Sequence, residues 1–207
     1  FKIDRIQYYT GNFHSKDRFA YIKIRNDYIP INVYLGVDIA ATATKTSDYQ
    51  VIVVMGIDSE KNRYVIEYFR ERIPTFDLPQ HIIRIAKKYQ PVKRATIETV
   101  ADRRLLPGIF KGVKPPGGIK KEDRLETSLG PIVNSKKLFI KRNMTEIVDE
   151  FFEHPFPKHD DIMDALYYAD YYSKAPKSGK MDRDMFDKRE TGSILKKYNW
   201  FTGARIN

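Results

Sequence analysis

The amino-acid sequence predicts a mixed α/β fold in which one sheet carries helices on both faces. Apolar β-branched runs and helical apolar stripes alternate along the chain in the order β-β-β-α-β-α-β-α. The first three strands follow one another through short polar segments, as in an antiparallel meander. The later strands are separated by helices, as crossover connections between parallel strands require.

The first strand is predicted from Asn32 to Ala41, where a largely apolar run indicates burial on both faces. An acid, Asp38, lies late in this strand. The second strand is predicted from Tyr49 to Ile57. The third, from Arg63 to Ile73, has partly alternating polar and apolar residues. The first thirty residues lack a clean periodicity, so no regular element is predicted there.

Helices and strands alternate in the rest of the chain. A helix from Leu78 to Tyr89 begins behind Asp77, a suitable N-cap, and Pro91 ends it. The strand from Val92 to Glu98 again ends on an acid. The remaining predicted elements are a short helix at Ala101–Leu106, a helix at Lys121–Leu129, a strand at Lys137–Lys141, a helix at Met144–Phe152 and a long helix at Asp160–Ser173.

The length of 207 residues favours one main domain. We place it at residues 32–173, followed by a polar, basic tail at residues 174–207. Because the chain begins with Phe1, residues 1–31 are interpreted as a lead-in from a missing upstream domain. The absence of cysteine excludes a disulfide framework and a thiolate zinc site. No apolar run approaches the roughly 20 residues that a membrane-spanning helix needs.

The charge of the chain indicates a polyanionic partner. Its 37 Lys and Arg residues against 27 Asp and Glu residues leave a formal charge of +10. Residues 102–124 contain seven bases and three acids, and residues 174–207 contain nine bases and four acids. Two separate basic segments around a nearly neutral body favour binding to nucleic acid, because Lys and Arg that neutralise phosphates release counterions.

Acids occupy three places that a metal site would use. If the first and fourth strands are parallel neighbours, Asp38 and Glu98 lie at the same edge of the sheet. The acids at the start of the last helix would complete the cluster. Carboxylates this close need a divalent cation to remain ionised, and a site of oxygen ligands suits Mg²⁺ or Mn²⁺. Two such ions can promote phosphodiester hydrolysis.

Helical geometry separates the acids of the last helix. At about 100° per residue, Asp161 borders the apolar stripe that packs on the sheet, as a metal ligand must. Asp160 lies opposite the stripe and is either an adjacent ligand or a helix cap. Asp164 is expected to point outward or to support the ligands from behind. A zinc site at His154 and His159 is disfavoured because their spacing is not that of a metal-binding pair.

The sequence resembles the nuclease domain of the large terminase subunit of tailed bacteriophages, which has a ribonuclease-H-like, or retroviral-integrase-like, fold. The resemblance covers roughly Tyr34 to Tyr172. Its motifs, in the family's order, are YLGVDIA with SDYQVIVVMGID, YVIEYFRERI, ATIETV, KKEDRLETSLGPIVNSKKLFI and HDDIMDALYYA.

The resemblance implies a two-metal endonuclease that cuts double-stranded DNA concatemers during genome packaging, with little sequence preference. It implies that Asp38 bridges two Mg²⁺ or Mn²⁺ ions, and that Glu98, Asp161 and the adjacent Asp160 complete the catalytic set. His159 and Asp164 would support these ligands. The basic residues expected to contact DNA are Arg103, Arg104, Lys114, Lys120, Lys121 and Arg124.

The resemblance also implies partners: the terminase ATPase domain, the small terminase subunit and the portal protein, in the cytoplasm of the infected bacterium. The chain lacks a G-x-x-x-x-G-K-[ST] motif, so no ATPase activity is expected from it. Two alternatives remain open. One is another ribonuclease-H-like nuclease, such as a junction resolvase, and the other is a DNA-docking module without catalysis.

Overall fold

A computed structural model describes residues 1–39, 49–74, 76–98, 110–114 and 117–177, and for Glu98 and Phe110 it describes the backbone only. The predicted helix at Ala101–Leu106, the bases Arg103 and Arg104, and most of the predicted tail lie outside these residues. Phe1–Pro176 form one compact unit. The unit begins with a short 3₁₀ helix, Ile3–Arg5.

The described residues contain nine strands and four α-helices. The strands are β1 (Gln7–Tyr9), β2 (Asn12–Lys16), β3 (Phe19–Ile24), β4 (Asp27–Asp38), β5 (Gln50–Ile57), β6 (Arg63–Glu71), β7 (Val92–Glu98), β8 (Phe110–Val113) and β9 (Leu138–Lys141). The helices are α1 (Leu78–Lys88), α2 (Lys121–Asn134), α3 (Thr145–Glu153) and α4 (Asp161–Tyr171).

The strands pair in the order β1-β9-β6-β5-β4-β3-β2, and β7 pairs with β4 and with β8. Strands β4, β5 and β6 form the predicted antiparallel meander. The other edge of β4 is shared: β3 pairs antiparallel with its first half and β7 pairs parallel with its second half. Pairs β7–β8 and β6–β9 are also parallel. The predicted mixed α/β sheet is therefore confirmed.

Helices cover both faces of the sheet, as predicted. On one face, α2, α3 and α4 pack against alternate residues of β5 such as Val51 and Val53. On the other face, Ile82 and Ile85 of α1 pack against the intervening residue Ile52. This alternation is the side-chain period of a strand that is buried on both sides. No helix in the described part of the chain is long and apolar enough to cross a membrane.

The N-terminal region contributes strands that periodicity did not predict. Strand β3 forms a hairpin with β4, β2 pairs with β3, and β1 lies parallel to β9. The first strand of the meander consequently begins at Asp27 rather than Asn32. Strand β1 spans three residues and β2 has a half-exposed pattern. Such short, partly exposed segments carry too little apolar alternation to be recognised in isolation.

Candidate active site

Two neighbouring parallel strands end on the first two predicted metal ligands. Strand β4 ends at Asp38 and β7 ends at Glu98. The rung before these acids pairs Val37 with Ile97. The backbone therefore brings both acids to one edge of the sheet, as the sequence predicted. The position of the Glu98 carboxylate stays a prediction, because only the backbone of that residue is described.

Helix α4 crosses β4 in the opposite direction. The hydroxyl of Tyr34 accepts a hydrogen bond of 3.0 Å from the backbone N–H of Lys174, just beyond the C-terminus of α4. At Gly36, an added Cβ would overlap the backbone of Ala165 and Ala169. Side chains two residues apart share a face of a strand, so Tyr34, Gly36 and Asp38 follow one another along the face that α4 covers. Asp38 therefore lies toward the N-terminus of α4. The acids that begin the helix therefore approach the sheet edge that carries Asp38.

Arg70 of β6 lies beside Asp161. Asp38 pairs with Val51 across the sheet, and Val51 pairs with Arg70, so all three residues share one row and one face. The Nη2 atom of Arg70 lies 3.5 Å from Oδ2 of Asp161, and only 13% of the Arg70 side chain is exposed. The ring of Tyr49 lies 4.2 Å from the Arg70 guanidinium carbon. Sequence reasoning missed Arg70, because its place in the row depends on strand register.

The electrostatic environment of Asp161 favours a bound cation. Burial raises the pKa of the Asp161 carboxyl, and the neighbouring Asp160 raises it further. The positive charges of Arg70 and Lys121 oppose this rise. A divalent cation would act in the same direction as these bases and hold the carboxyl ionised.

Asp160 and Asp164 contact bases of α2. The Nζ atom of Lys121 lies 2.8 Å from Oδ2 of Asp160 and also forms an ion pair with Asp164. Arg124 donates a hydrogen bond of 3.0 Å to Oδ1 of Asp164. Asp160 occupies the N-cap position of α4, but its side chain makes no capping hydrogen bond. Its carboxylate therefore contacts Lys121 rather than capping the helix.

The outward orientation considered for Asp164 is wrong. The residue is 3% exposed, and burial raises the pKa of its carboxyl, whereas Lys121 and Arg124 oppose the rise. Helical angle alone placed it away from the sheet, but α2 packs against that side of α4. The other expectation, that Asp164 supports the site from behind, stays a prediction. The predicted stripe of Ile162, Ala165, Leu166 and Ala169 is buried throughout.

Glu150 of α3, which the sequence analysis did not select, holds the first turn of α4. It is 5% exposed and accepts backbone hydrogen bonds from Met163 (2.8 Å) and Ile162 (3.3 Å). These N–H groups have no partner within the helix, so the two oxygens of the carboxyl group satisfy them. Burial raises the pKa of Glu150 to about 8, although the two N–H groups lower it. A usable signal was present in the sequence, since Glu150 falls in the apolar stripe of Ile147 and Phe151.

Replacing Glu150 by glutamine tests this burial. Because the folded-state pKa of about 8 exceeds the ordinary value of 4.5, the stability linked to protonated Glu150 is present below pH 4.5 and lost as pH rises through 8. Relative to the Glu150→Gln variant, the wild type should therefore lose free energy of unfolding across this window. Urea unfolding at several pH values, without divalent metal, measures the difference.

The exposed Glu153→Gln variant, on the same helix, is the control for this experiment. Its stability should follow the wild type at every pH. A stability difference between wild type and Glu150→Gln that does not vary with pH would contradict the expected titration.

The predicted DNA-contacting bases fall into two groups. Lys114 and Lys120 are exposed, whereas Lys121 and Arg124 pair with acids of α4. His159 is exposed, and its ring centre lies 6.0 Å from that of Tyr49. Among the described side chains, no group of three or more His, Asp or Glu residues is arranged to hold a metal ion. The side chain of Glu98 is not among those described.

Comparison with solved structures identifies the fold. The large terminase nuclease of thermophilic phage G20c covers 83% of this chain and 96% of its own length, with a TM-score of 0.57 and 17% identity. The large terminase nuclease domain of Thermus phage P74-26 covers 86% of this chain and 95% of its own length, with a TM-score of 0.53 and 16% identity. The chain has the fold of a large terminase nuclease domain. The resemblance predicted from the motifs is thus confirmed for the fold.

The P22 large terminase nuclease domain shares this terminase nuclease fold. It covers 81% of the chain and 87% of its own length, with a TM-score of 0.52 and 14% identity. A second structure of the G20c nuclease, at 16% identity and a TM-score of 0.57, holds bound zinc. No protein-family model and no curated protein matches the sequence. The likeness therefore lies in the three-dimensional arrangement far more than in the sequence.

Proposed function

We propose that this chain is a metal-dependent endonuclease that cuts double-stranded viral DNA during genome packaging, with little sequence specificity. The observation that carries the proposal is the approach of the α4 acids to the sheet edge where β4 and β7 end. This arrangement occurs in a fold shared with large terminase nucleases.

Asp38, Glu98, Asp160 and Asp161 would hold two divalent ions. Their oxygen ligands suit Mg²⁺ or Mn²⁺, and the raised pKa of Asp161 fits a carboxylate that needs a cation to ionise. When bound, such ions supply an activated water and stabilise the leaving oxygen of a phosphodiester. The zinc bound to the G20c nuclease supports the use of a divalent metal by this fold.

The neighbouring bases orient the carboxylates. Lys121 holds Asp160 from the α2 side, and Arg70 lies against Asp161 from the β6 side. Glu150 maintains the first turn of α4 through its two backbone hydrogen bonds. These contacts, which come from three different elements, would hold the start of α4 and its acids in place.

Phosphate contacts would come from the basic residues around α2. The exposed Lys114 and Lys120, together with Lys121, Arg124, Arg103 and Arg104, supply positive charge beside the acids. By the same reasoning the working partners would be the terminase ATPase domain, the small terminase subunit and the portal protein, in the cytoplasm of an infected bacterium.

Replacing Asp38 by asparagine tests the proposal. The substitution removes one charged ligand and conserves side-chain size, so we expect the rate of Mn²⁺-dependent plasmid cleavage to fall by at least about 100-fold. DNA affinity measured in chelator should remain within about twofold. Gel-based cleavage and fluorescence anisotropy give the two quantities.

Asp149→Asn is the matched control, because Asp149 is an exposed acid on α3. It should cleave DNA at the wild-type rate. Full activity of Asp38→Asn would refute the proposed role of this residue. A wild-type protein that binds DNA but neither binds Mn²⁺ nor cleaves would instead be a DNA-docking module, and strong preference for branched DNA would indicate a resolvase.

A further inference from the structure

A basic concavity lies far from the candidate active site. It has a volume of about 730 Å³, and its lining includes Lys23, Arg25, Lys141, Arg142, His14 and Asn143. We call these residues the basic concavity. Lys23 pairs with Tyr28 near the start of β4, whereas Asp38 ends the same strand. Ten residues at a rise of about 3.3 Å separate the two positions by roughly 30 Å along the strand.

The charge of the basic concavity is uncompensated by the described residues. Its lining contains no Asp or Glu, and none of its four Lys and Arg residues forms an ion pair within the described part of the chain. Lys23 lies 5.2 Å from the ring centre of Tyr28, and Arg142 lies 5.2 Å from that of Tyr8. These rings support the cations but supply no counter-charge.

The backbone around the basic concavity is closely constrained. At Gly11, between β1 and β2, an added Cβ would lie 2.8 Å from the carbonyl oxygen of Lys23, so only glycine allows this approach. Arg25 lies in the two-residue turn between β3 and β4, with a φ of 55°. Lys141 ends β9, which is paired with β1. Bases from two separate chain segments, the β3–β4 hairpin and the end of β9, are therefore held around one hollow.

We infer that the basic concavity binds backbone phosphates of double-stranded DNA outside the segment being cut. This inference rests on the proposed function, since it gives the same substrate a second contact. Lys and Arg side chains with nearby amide donors match the oxygens of phosphates. The separation of roughly 30 Å is close to one turn of duplex DNA.

An acidic protein is the less suitable occupant. Protein interfaces gain most of their affinity from aromatic anchors that become buried in pockets. Here Tyr8 and Tyr28 already contact cations. Tyr9, which lines the concavity, is buried with its hydroxyl donating to the carbonyl of Val65. The lining is dominated by charged and amide side chains, which favours a ligand that presents many phosphates rather than apolar groups.

Two double variants test the inference in the intact chain. Lys141→Ala with Arg142→Ala, and Lys23→Ala with Arg25→Ala, each remove two positive charges from different chain segments. For a duplex of about 40 base pairs, binding in chelator should weaken in both. The slope of log K against log salt should become shallower by about 1.8, or 0.9 for each lost contact. Binding and cleavage of a duplex of about 10 base pairs, shorter than one turn, should remain near wild type.

Arg84→Ala with Lys87→Ala is the control, because it removes the same charges from the exposed side of α1. An unchanged salt slope in both concavity variants, with folding verified by circular dichroism, would overturn the inference. Concavity residues that are needed for binding to an acidic peptide but not for binding to DNA would also overturn the inference. Binding is measured without metal, so the salt slopes of the variants and the cleavage activity of the wild type are independent results. An unchanged salt slope refutes DNA binding at the basic concavity, whereas absence of cleavage by the wild type refutes the proposed nuclease activity.

Discussion

Asp161→Asn is expected to reduce the rate of Mn²⁺-dependent DNA cleavage by at least about 100-fold, and Asp160→Asn by less than about tenfold. The difference follows from the surroundings of the two carboxylates. Asp161 lies beside Arg70 in the row that contains Asp38, whereas Asp160 is drawn toward α2 by Lys121. Asparagine conserves the shape of each side chain, so α4 should still form.

Cleavage rates and Mn²⁺ titration calorimetry should be measured on both variants. Asp161→Asn is expected to lose at least one of the metal-binding events, while Asp160→Asn keeps them with reduced affinity. Urea unfolding provides the control for folding. The reverse order, with Asp160→Asn inactive and Asp161→Asn active, would make Asp160 the principal ligand of the pair.

Gly36→Ala is expected to lower the free energy of unfolding by roughly 3 kcal/mol or more. A methyl group at this position would overlap the backbone of Ala165 and Ala169, and neither the strand nor the helix backbone can turn away as a flexible side chain can. Because Gly36 lies at the centre of the contact between β4 and α4, accommodation requires α4 to move. Such a movement displaces Asp161, so cleavage should fall as well.

Gly117→Ala is the matched control for this substitution. An added Cβ at Gly117 meets no atom within 4 Å, so stability should change by less than about 0.5 kcal/mol. Urea unfolding measures both variants. Wild-type stability in Gly36→Ala would contradict the tight approach of α4 to β4.

The predicted elements with strong periodicity agree with the structure. The α4 stripe of Ile162, Ala165, Leu166 and Ala169 is fully buried, and the three strands of the meander pair as expected. Their patterns are long enough for local burial to determine them. Strands β1, β2 and β3 span three, five and six residues, β2 is half-exposed, and β9, the partner of β1, is distant in the chain, so they were not predicted.

The candidate site was predictable as a set of acids but not as a network. Asp38, late in one strand, and Glu98, at the end of another, could be assigned to one edge on the condition that the two strands are parallel neighbours, and the structure shows this pairing. The contacts of Arg70 with Asp161 and of Glu150 with the α4 backbone could not, because they depend on register and helix packing between separate elements. The burial of Asp164 likewise follows from the position of α2.

Local apolar periodicity was sufficient to predict the meander strands, the strand that ends at Glu98 and the four helices α1 to α4. It also placed Asp38 late in its strand and acids at the start of α4. Tertiary packing sets which bases face those acids and brings α4 close to β4 at Gly36. It alone also brought Lys23, Arg25, Lys141 and Arg142 around one concavity. Such contacts join residues that are far apart in the chain, and a local sequence pattern contains no information about how close those residues lie in space.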